Sequence, residues 1–260
     1  MTKRLLFAIA LVMTLTTTTA FTPQWQFLDD LRYKKDGDPN HVLDAYLPAG
    51  NGPFPVVIVI HGQRIGDEDG VDGLARAFAN QGYVGVSVDY RDWGHPVWPA
   101  QLDDLHAAID WIRGHTTLLK AKPSRMGMLG VSMGGFPAAM LATSGRRYRP
   151  DVVATWSGKM DLTTWSQMNG LILGKAAAKD EKVLVANSPT LRVPTHGAPP
   201  WFIANSRCEW VPLSQPRGMA AALATARIPY QLKVVQKCLH GGAYWYLVID
   251  DMMAFFHRWL

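Results

Sequence analysis

Gly130-Val131-Ser132-Met133-Gly134 follows the apolar run Met126–Val131 and opens Gly135–Ser144, a segment that can stay helical up to Gly145. A serine with glycines two before and two after it, set between a strand and a helix, is the G-x-S-x-G turn that presents a nucleophile. The turn is sharp enough to lift the hydroxyl above the edge of a sheet, and the glycines let the helix pack close to the strand. The first turn of the helix then offers backbone N–H groups to a developing negative charge. Glycines also flank serines by chance, but here the strand before and the helix after are both in place.

Outward from this turn, short apolar runs alternate with longer amphipathic segments, the pattern of a mostly parallel sheet covered by helices. The runs are Val56–Ile60, Tyr83–Val88, Met126–Val131, Val152–Trp156, Trp201–Ala204 and Gln231–Val235, all rich in β-branched or aromatic residues. Upstream, Phe27–Tyr33 and Val42–Leu47 flank the turn formers Asp36-Gly37-Asp38-Pro39-Asn40 and predict an antiparallel hairpin at the sheet edge. The spacing of Leu102, Leu105, Ile109 and Ile112, and of Tyr246, Ile249, Met253, Phe256 and Leu260, predicts two helices with one face on the sheet. Residues 161–200 break the alternation, with a helix expected over Leu171–Lys182, and are read as a cap excursion that roofs the site. A length of 260 residues suits one such domain, expected over residues 21–260.

A composition of 48% hydrophobic and 18% charged residues excludes a disordered chain. Lys3 and Arg4, the apolar run Leu5–Met13 and the Thr-rich stretch closing on Thr18-Thr19-Ala20 read as a signal peptide over residues 1–20. The apolar run is far shorter than the roughly 18–20 residues that cross a bilayer, so no stable membrane insertion is expected after cleavage. The expected location is secreted or periplasmic. Formal charge is +5, and removing Lys3 and Arg4 leaves 24 basic against 21 acidic residues, or +3. With the basic residues scattered rather than gathered in a stripe, this argues against nucleic acid as a partner.

An acyl-transfer site also needs donors for an oxyanion. His61-Gly62-Gln63 closes the run Val56–Ile60, and the backbone N–H groups of Gln63 and Met133 are the candidates. Together these motifs resemble the α/β-hydrolase superfamily, and most of all its secreted carboxylesterase and acetyl or feruloyl esterase branch. Leu43-Asp44-Ala45-Tyr46-Leu47-Pro48, the run ending in His61-Gly62, Val88-Asp89-Tyr90-Arg91 and the serine turn occur in that branch's order, and the likeness extends over nearly all of residues 21–260. It implies an α/β-hydrolase fold, with a mostly parallel sheet of about eight strands, helices on both faces and a short cap. One departure stands out. Many relatives carry H-G-G-G, whereas Gln63 and Arg64 follow Gly62 here, so their side chains are expected to narrow the acyl side and favour small acyl groups.

The resemblance also implies the chain order serine, acid, histidine. Of eight histidines, His240 in Lys237-Cys238-Leu239-His240-Gly241-Gly242 follows the last strand, in the loop that delivers the base. His196 and His257 read as surface residues, and His61 as a buttress of the oxyanion loop. Relatives commonly carry an aspartate three residues before Val-Pro; that position is Cys208 here, and Glu209 comes one residue later. The extra methylene of Glu209 lets it reach the same imidazole, so it is the expected acid. The rival is Asp161, whose plainer reading is an N-cap of a helix starting Leu162-Thr163-Thr164-Trp165. Cys208 and Cys238 then fall in loops leaving neighbouring strands at the same edge, and a disulfide between them is expected in an exported protein.

Ten tryptophans are many for this length, and Trp93, Trp98, Trp156, Trp165 and Trp210 fall in or near segments expected around Ser132. Trp93, Trp156 and Trp210 are read as a substrate-binding wall suited to a sugar ring or phenolic group, against the general rule that most tryptophans are core. Asp67-Glu68-Asp69 reads as a solvated loop rather than a metal site, because adjacent carboxylates point apart and no further ligands accompany them. No metal or cofactor is expected. The resulting expectation is a serine carboxylesterase acting on a small-molecule or carbohydrate-linked ester. A peptidase or lactonase would use the same groups, since fold does not fix the bond cleaved. A non-catalytic binding protein would have no need of nucleophile, base and oxyanion loop together.

Overall fold

A computed structural model describes residues 24–63, 71–91, 93 and 98–260. The segment expected to be a signal peptide, Arg64 and Asp67-Glu68-Asp69 lie outside the described residues. In chain order the elements are β1 (Trp25–Arg32), β2 (Val42–Pro48), β3 (Phe54–Ile60), α1 (Asp72–Ala79), β4 (Val84–Val88), α2 (Ala100–Gly114), β5 (Ala121–Val131), α3 (Gly135–Ala142) and β6 (Val152–Trp156). Then come α4 (Asn169–Leu173), α5 (Glu181–Ala186), β7 (Trp201–Ser206), α6 (Ser214–Thr225), β8 (Tyr230–Val235) and α7 (Trp245–Trp259).

The strands form one sheet in the order β1-β2-β4-β3-β5-β6-β7-β8. The β1–β2 hairpin and the β2–β4 pair are antiparallel, and all other pairs are parallel. In the hairpin turn Asp38 accepts from the Asn40 N–H at 2.9 Å, the local side-chain bond that favours aspartate there. α1 and α7 cover one face of the sheet, and α2, α3 and α6 the other. Along β3, Val56, Ile58 and Ile60 enter one core while Val57 and Val59 enter the other. Burial on both faces explains why the parallel strands read as continuous apolar runs. β5 starts earlier than its apolar run because Phe54 and Pro55 of β3 pair with Ala121 and Lys122 ahead of a register shift.

Two local expectations are corrected. The helix expected over Leu171–Lys182 is two short helices, α4 and α5, parted by Gly174 at φ +80° and a 3-10 turn at Ala177–Lys179. Its apolar residues are spaced for a helix, but the glycine takes the left-handed backbone that ends one. Asp161 caps no helix: its Oδ1 accepts from the Thr163 N–H at 2.8 Å and the Thr163 hydroxyl at 2.6 Å, closing a turn. Elsewhere in the same segment, the Trp98 N–H donates to the Ile172 carbonyl at 2.9 Å and its indole to Asn187 at 2.9 Å. These bonds tie the excursion to the segment leading into α2.

The topology fixes where chemistry can sit. β3 has β4 on one side and β5 on the other, so the direction of winding reverses at β3 and opens a crevice at the carboxyl ends of β3 and β5. His61-Gly62 leaves β3 at this point, and Ser132 leaves β5.

The opposite half of the sheet carries a charge that the fold tolerates poorly. Asp44 on β2 is half-buried and accepts from the Asp30 N–H at 2.8 Å, and burial, reinforced by Asp72, Asp29 and Asp30, pushes its carboxyl up to about 6. A carboxyl raised in this way favours the fold below its unfolded value near 4 and loses that contribution as pH rises through about 6. Asp44→Asn keeps an acceptor for Asp30 and should therefore be more stable than wild type at pH 8, by on the order of 1 kcal/mol once solvent screening is allowed for. Denaturant unfolding at pH 8 and pH 4 checks this: the difference should vanish at the lower pH, and an equal difference at both would rule out the charge as its cause.

Candidate active site

Ser132 sits directly after the extended Val131 and has φ +55°, the left-handed region, before a 3-10 turn over Ser132–Gly134 runs into α3. A non-glycine residue there costs roughly 1–2 kcal/mol and needs its surroundings to hold it. They do so by close packing. A Cβ on Gly134 would lie 2.3 Å from the carbonyl oxygens of Ile60 and His61, and one on Gly62 would lie 2.9 Å from Ser132 Cβ. Only glycine lets the serine turn press against the end of β3. The Met133 N–H belongs to the first helical turn, whose N–H groups lack acceptors within the helix. Gln63 follows Gly62 on the loop that lies against Ser132, and its side chain is exposed. That loop is buttressed by the Val88-Asp89-Tyr90-Arg91 motif: the Tyr90 hydroxyl donates to the His61 carbonyl at 2.6 Å, its ring stacks on His61 at 4.4 Å, and Asp89 lies 3.5 Å from His61 Nε2.

The base and acid arrive from the other side. Ser132 Oγ is 2.7 Å from His240 Nε2, and His240 Nδ1 is hydrogen-bonded to Glu209 Oε2. A carboxylate only accepts, so Nδ1 carries the proton and Nε2 is free to take the serine's. Glu209 is buried, and its other oxygen accepts from the Ser206 N–H and the Ser157 hydroxyl, both at 2.8 Å. Asp161 takes no part: its carboxylate is held by Thr163, as described above.

Two further residues hold this line, and neither was singled out from the sequence. Ser157 directly follows β6 with φ +51°; besides donating to Glu209 it accepts from the Gly241 N–H at 3.0 Å and lies 2.8 Å from the Tyr244 hydroxyl. It thereby ties the acid to the loop of the base. Burial pushes the Tyr244 hydroxyl well above its ordinary value, so it stays a neutral donor beside Ser157 and the Ala204 carbonyl, 3.1 Å away. A polar Ser157-Gly158 pair at the carboxyl end of a buried strand was the available clue.

The expected aromatic wall is corrected. Trp156 is 0% exposed and packs near Tyr244 in the core under α7, so it cannot touch a substrate. Trp93 is 9% exposed and lies among Tyr90, Trp98 and Phe136 in the opposite core. Trp156 lies on a strand covered on both faces, where a tryptophan has no solvent side, and Trp93 turns inward from the loop before α2. Trp210 is 46% exposed, with its ring 4.9 Å from that of His240, and Trp165 stands 5.4 Å from Trp210. His257 and His196 are exposed, as expected.

The assembled groups can deprotonate a serine and hold the resulting imidazolium. The BD-FAE family model matches residues 43–223. Carboxylesterase NlhH of Mycobacterium tuberculosis (strain CDC 1551 / Oshkosh) is 36% identical over 102 residues, covering 38% of this chain and 32% of that protein. Esterase LipI of Mycobacterium tuberculosis (strain ATCC 25618 / H37Rv) is 29% identical over 209 residues, covering 72% and 65%. The chain thus spans between a third and two thirds of the length of these relatives. Among solved structures, a truncated carbohydrate esterase from gut microbiota superposes with a TM-score of 0.79 at 20% identity, covering 90% of this chain and 96% of that one. An inhibited esterase B from Lactobacillus rhamnosis gives 0.78 at 18% identity, covering 91% and 88%. These likenesses establish the α/β-hydrolase fold.

Acid and base are joined covalently as well. Cys208 and Cys238 form a disulfide with their Cα atoms 4.7 Å apart, next to Glu209 and two residues before His240. Parallel pairing of Ser206 with Val235 brings the two loops together. Closing a loop with a separation of 30 residues removes unfolded-chain entropy worth about 3–4 kcal/mol. Replacing both cysteines by alanine should lower unfolding stability by about 2–4 kcal/mol in denaturant titrations. A variant as stable as the oxidised protein would contradict that contribution.

Proposed function

The chain belongs to the BD-FAE family, and from that premise we propose that it is a serine carboxylesterase, secreted or periplasmic, acting on short-acyl esters of aryl or carbohydrate alcohols. The observation that carries the reading is the unbroken hydrogen-bonded line Ser132–His240–Glu209 at the crevice of the sheet. In this reading Ser132 Oγ attacks the ester carbonyl while His240 Nε2 takes its proton. Glu209 keeps the imidazole in its working tautomer and stabilises the positive charge it gains. The N–H groups of Met133 and Gln63 receive the oxyanion. His240 returns the proton to the departing alkoxide, leaving an acyl group on Ser132, and then activates the water that removes it. No metal or cofactor enters these steps.

The names of the relatives, carboxylesterase and esterase, support an ester as the substrate. An exposed Trp210 against His240, extended by Trp165, supports an alcohol or acyl group with a flat face. Preference for short acyl groups follows from Gln63 standing where relatives carry glycine. Export is supported by the Lys3-Arg4 and Leu5–Met13 segment and by the Cys208–Cys238 disulfide. The cap role of residues 161–200 is part of the same reading, resting on Trp165 within that segment reaching the site.

Steady-state kinetics with 4-nitrophenyl acetate and a soluble longer-chain ester test it. Wild type should turn over the acetyl ester faster, Ser132→Ala should lose roughly 10⁴-fold or more in kcat, and Glu209→Gln roughly 10³–10⁴-fold. Ser157→Ala, which removes one hydrogen bond to a charged acceptor, should lose roughly 10–100-fold, and Asp161→Asn should stay near wild type. Activity surviving in Ser132→Ala would refute the nucleophile, and a larger loss in Asp161→Asn than in Glu209→Gln would move the acid.

A further inference from the structure

Lys159 is a charge-bearing side chain the mechanism does not use. It is 3% exposed, three residues past the end of β6, in a place where an ammonium group loses nearly all its hydration. Its three N–H donors are nonetheless accounted for. Nζ donates to the Trp165 carbonyl and, at 2.7 Å, to the Gln167 carbonyl, and it lies 4.2 Å from the centroid of the Trp165 ring. Two carbonyls and one aromatic face therefore converge on one cation. All three belong to a surface segment that has no regular secondary structure at Trp165 and Ser166. Trp165 is the residue of that segment that meets Trp210, and Trp210 meets His240.

We propose that Lys159 is a positioning residue for the substrate wall, its ammonium fixing Trp165 so that Trp165 and Trp210, their rings inclined at 50°, form a two-ring aromatic wall beside His240 for the flat group of an ester. This rests on the esterase reading for the identity of the ligand, but not for the existence of the wall. A loop with no hydrogen-bonded ladder of its own would otherwise sample many backbone states, and ordering it before the ligand arrives removes that cost from binding. A neutral side chain could fill the volume, but it could not bind both carbonyls and the ring face. Burial lowers Lys159 to about 7, opposed by the field of Asp161, so the ammonium form depends on the two carbonyls and the ring face that meet it. Asp161 is the charged group whose field is felt at Lys159, and its own carboxylate is engaged by Thr163.

The experiment compares Lys159→Met, Lys159→Arg and Trp165→Ala with wild type on two acetyl esters that differ only in the alcohol, 4-nitrophenyl acetate and ethyl acetate. Lys159→Met and Trp165→Ala should raise KM for the aryl ester about 3–10-fold, the range set by one aromatic contact, and the rise should be smaller on ethyl acetate. Lys159→Arg, which keeps the cation, should recover part of the loss. A second measurement needs no turnover: in a Ser132→Ala background, quenching of tryptophan emission by 4-nitroacetophenone, an aryl ketone that cannot be hydrolysed, should show the same weakening when Lys159→Met is added. Unchanged affinity for the ketone, or equal losses on both esters, would overturn the positioning role. Wild type that binds the ketone in a Lys159-dependent manner yet hydrolyses neither ester would overturn the esterase reading and leave the wall standing.

Discussion

The structure depends on one close approach, the turn at Ser132 pressed against the end of β3. Ser132 holds a left-handed backbone conformation that an isolated chain would leave at once. It persists because Gly134 and Gly62 bring backbone within van der Waals contact on both sides and because β3 and β5 are buried on both faces of the sheet. Strain at one residue is thus offset by a core of many. The same approach places the His61-Gly62-Gln63 loop against the serine, so the proposed nucleophile and oxyanion donors share a single packing constraint.

The remaining groups are contributed by successive strand ends. β6 supplies Ser157, β7 leads to Glu209 and β8 leads to His240, and the parallel register of these strands sets the three loops side by side. Hydrogen bonds from Ser157 and the Ser206 N–H, together with the disulfide, hold the acid and base loops in one arrangement. A buried carboxylate with three hydrogen bonds is well satisfied, and a carboxylate short of donors would be costly at that depth. The site is therefore rigid at its reacting end. Its outer wall, Trp165 and Trp210, stands on loops and depends on side-chain contacts for its order.

Much of this was legible because the chemistry required local patterns. G-x-S-x-G between a strand and a helix marks a turn that few sequences can make, and the apolar runs mark strands because both faces of this sheet are covered. His240 and Glu209 were found through the resemblance to other hydrolases, with the shift of the acid by one residue absorbed by glutamate's extra methylene. What sequence reading missed was decided by three-dimensional placement. Trp156 ends β6 and faces α7 while Trp210, in the loop after β7, is exposed, and a five-residue strand buried throughout has no alternation to mark Trp156 as core. Ser157 and Lys159 act on residues dozens of positions away or on a loop without periodicity, so no local spacing announces them. The helix expected over Leu171–Lys182 is interrupted because Gly174 takes a left-handed backbone that apolar spacing does not register.

The central claim is that Ser132 is a nucleophile activated by His240 and Glu209. Mass spectrometry of the protein after treatment with a fluorophosphonate tests it most directly, because such a reagent couples to an activated serine whatever the natural ester. The account predicts one adduct per chain, located by peptide mapping on Ser132 and formed far more slowly in His240→Ala. Absence of an adduct in the folded, oxidised protein, an adduct on another serine, or an undiminished rate without His240 would contradict it.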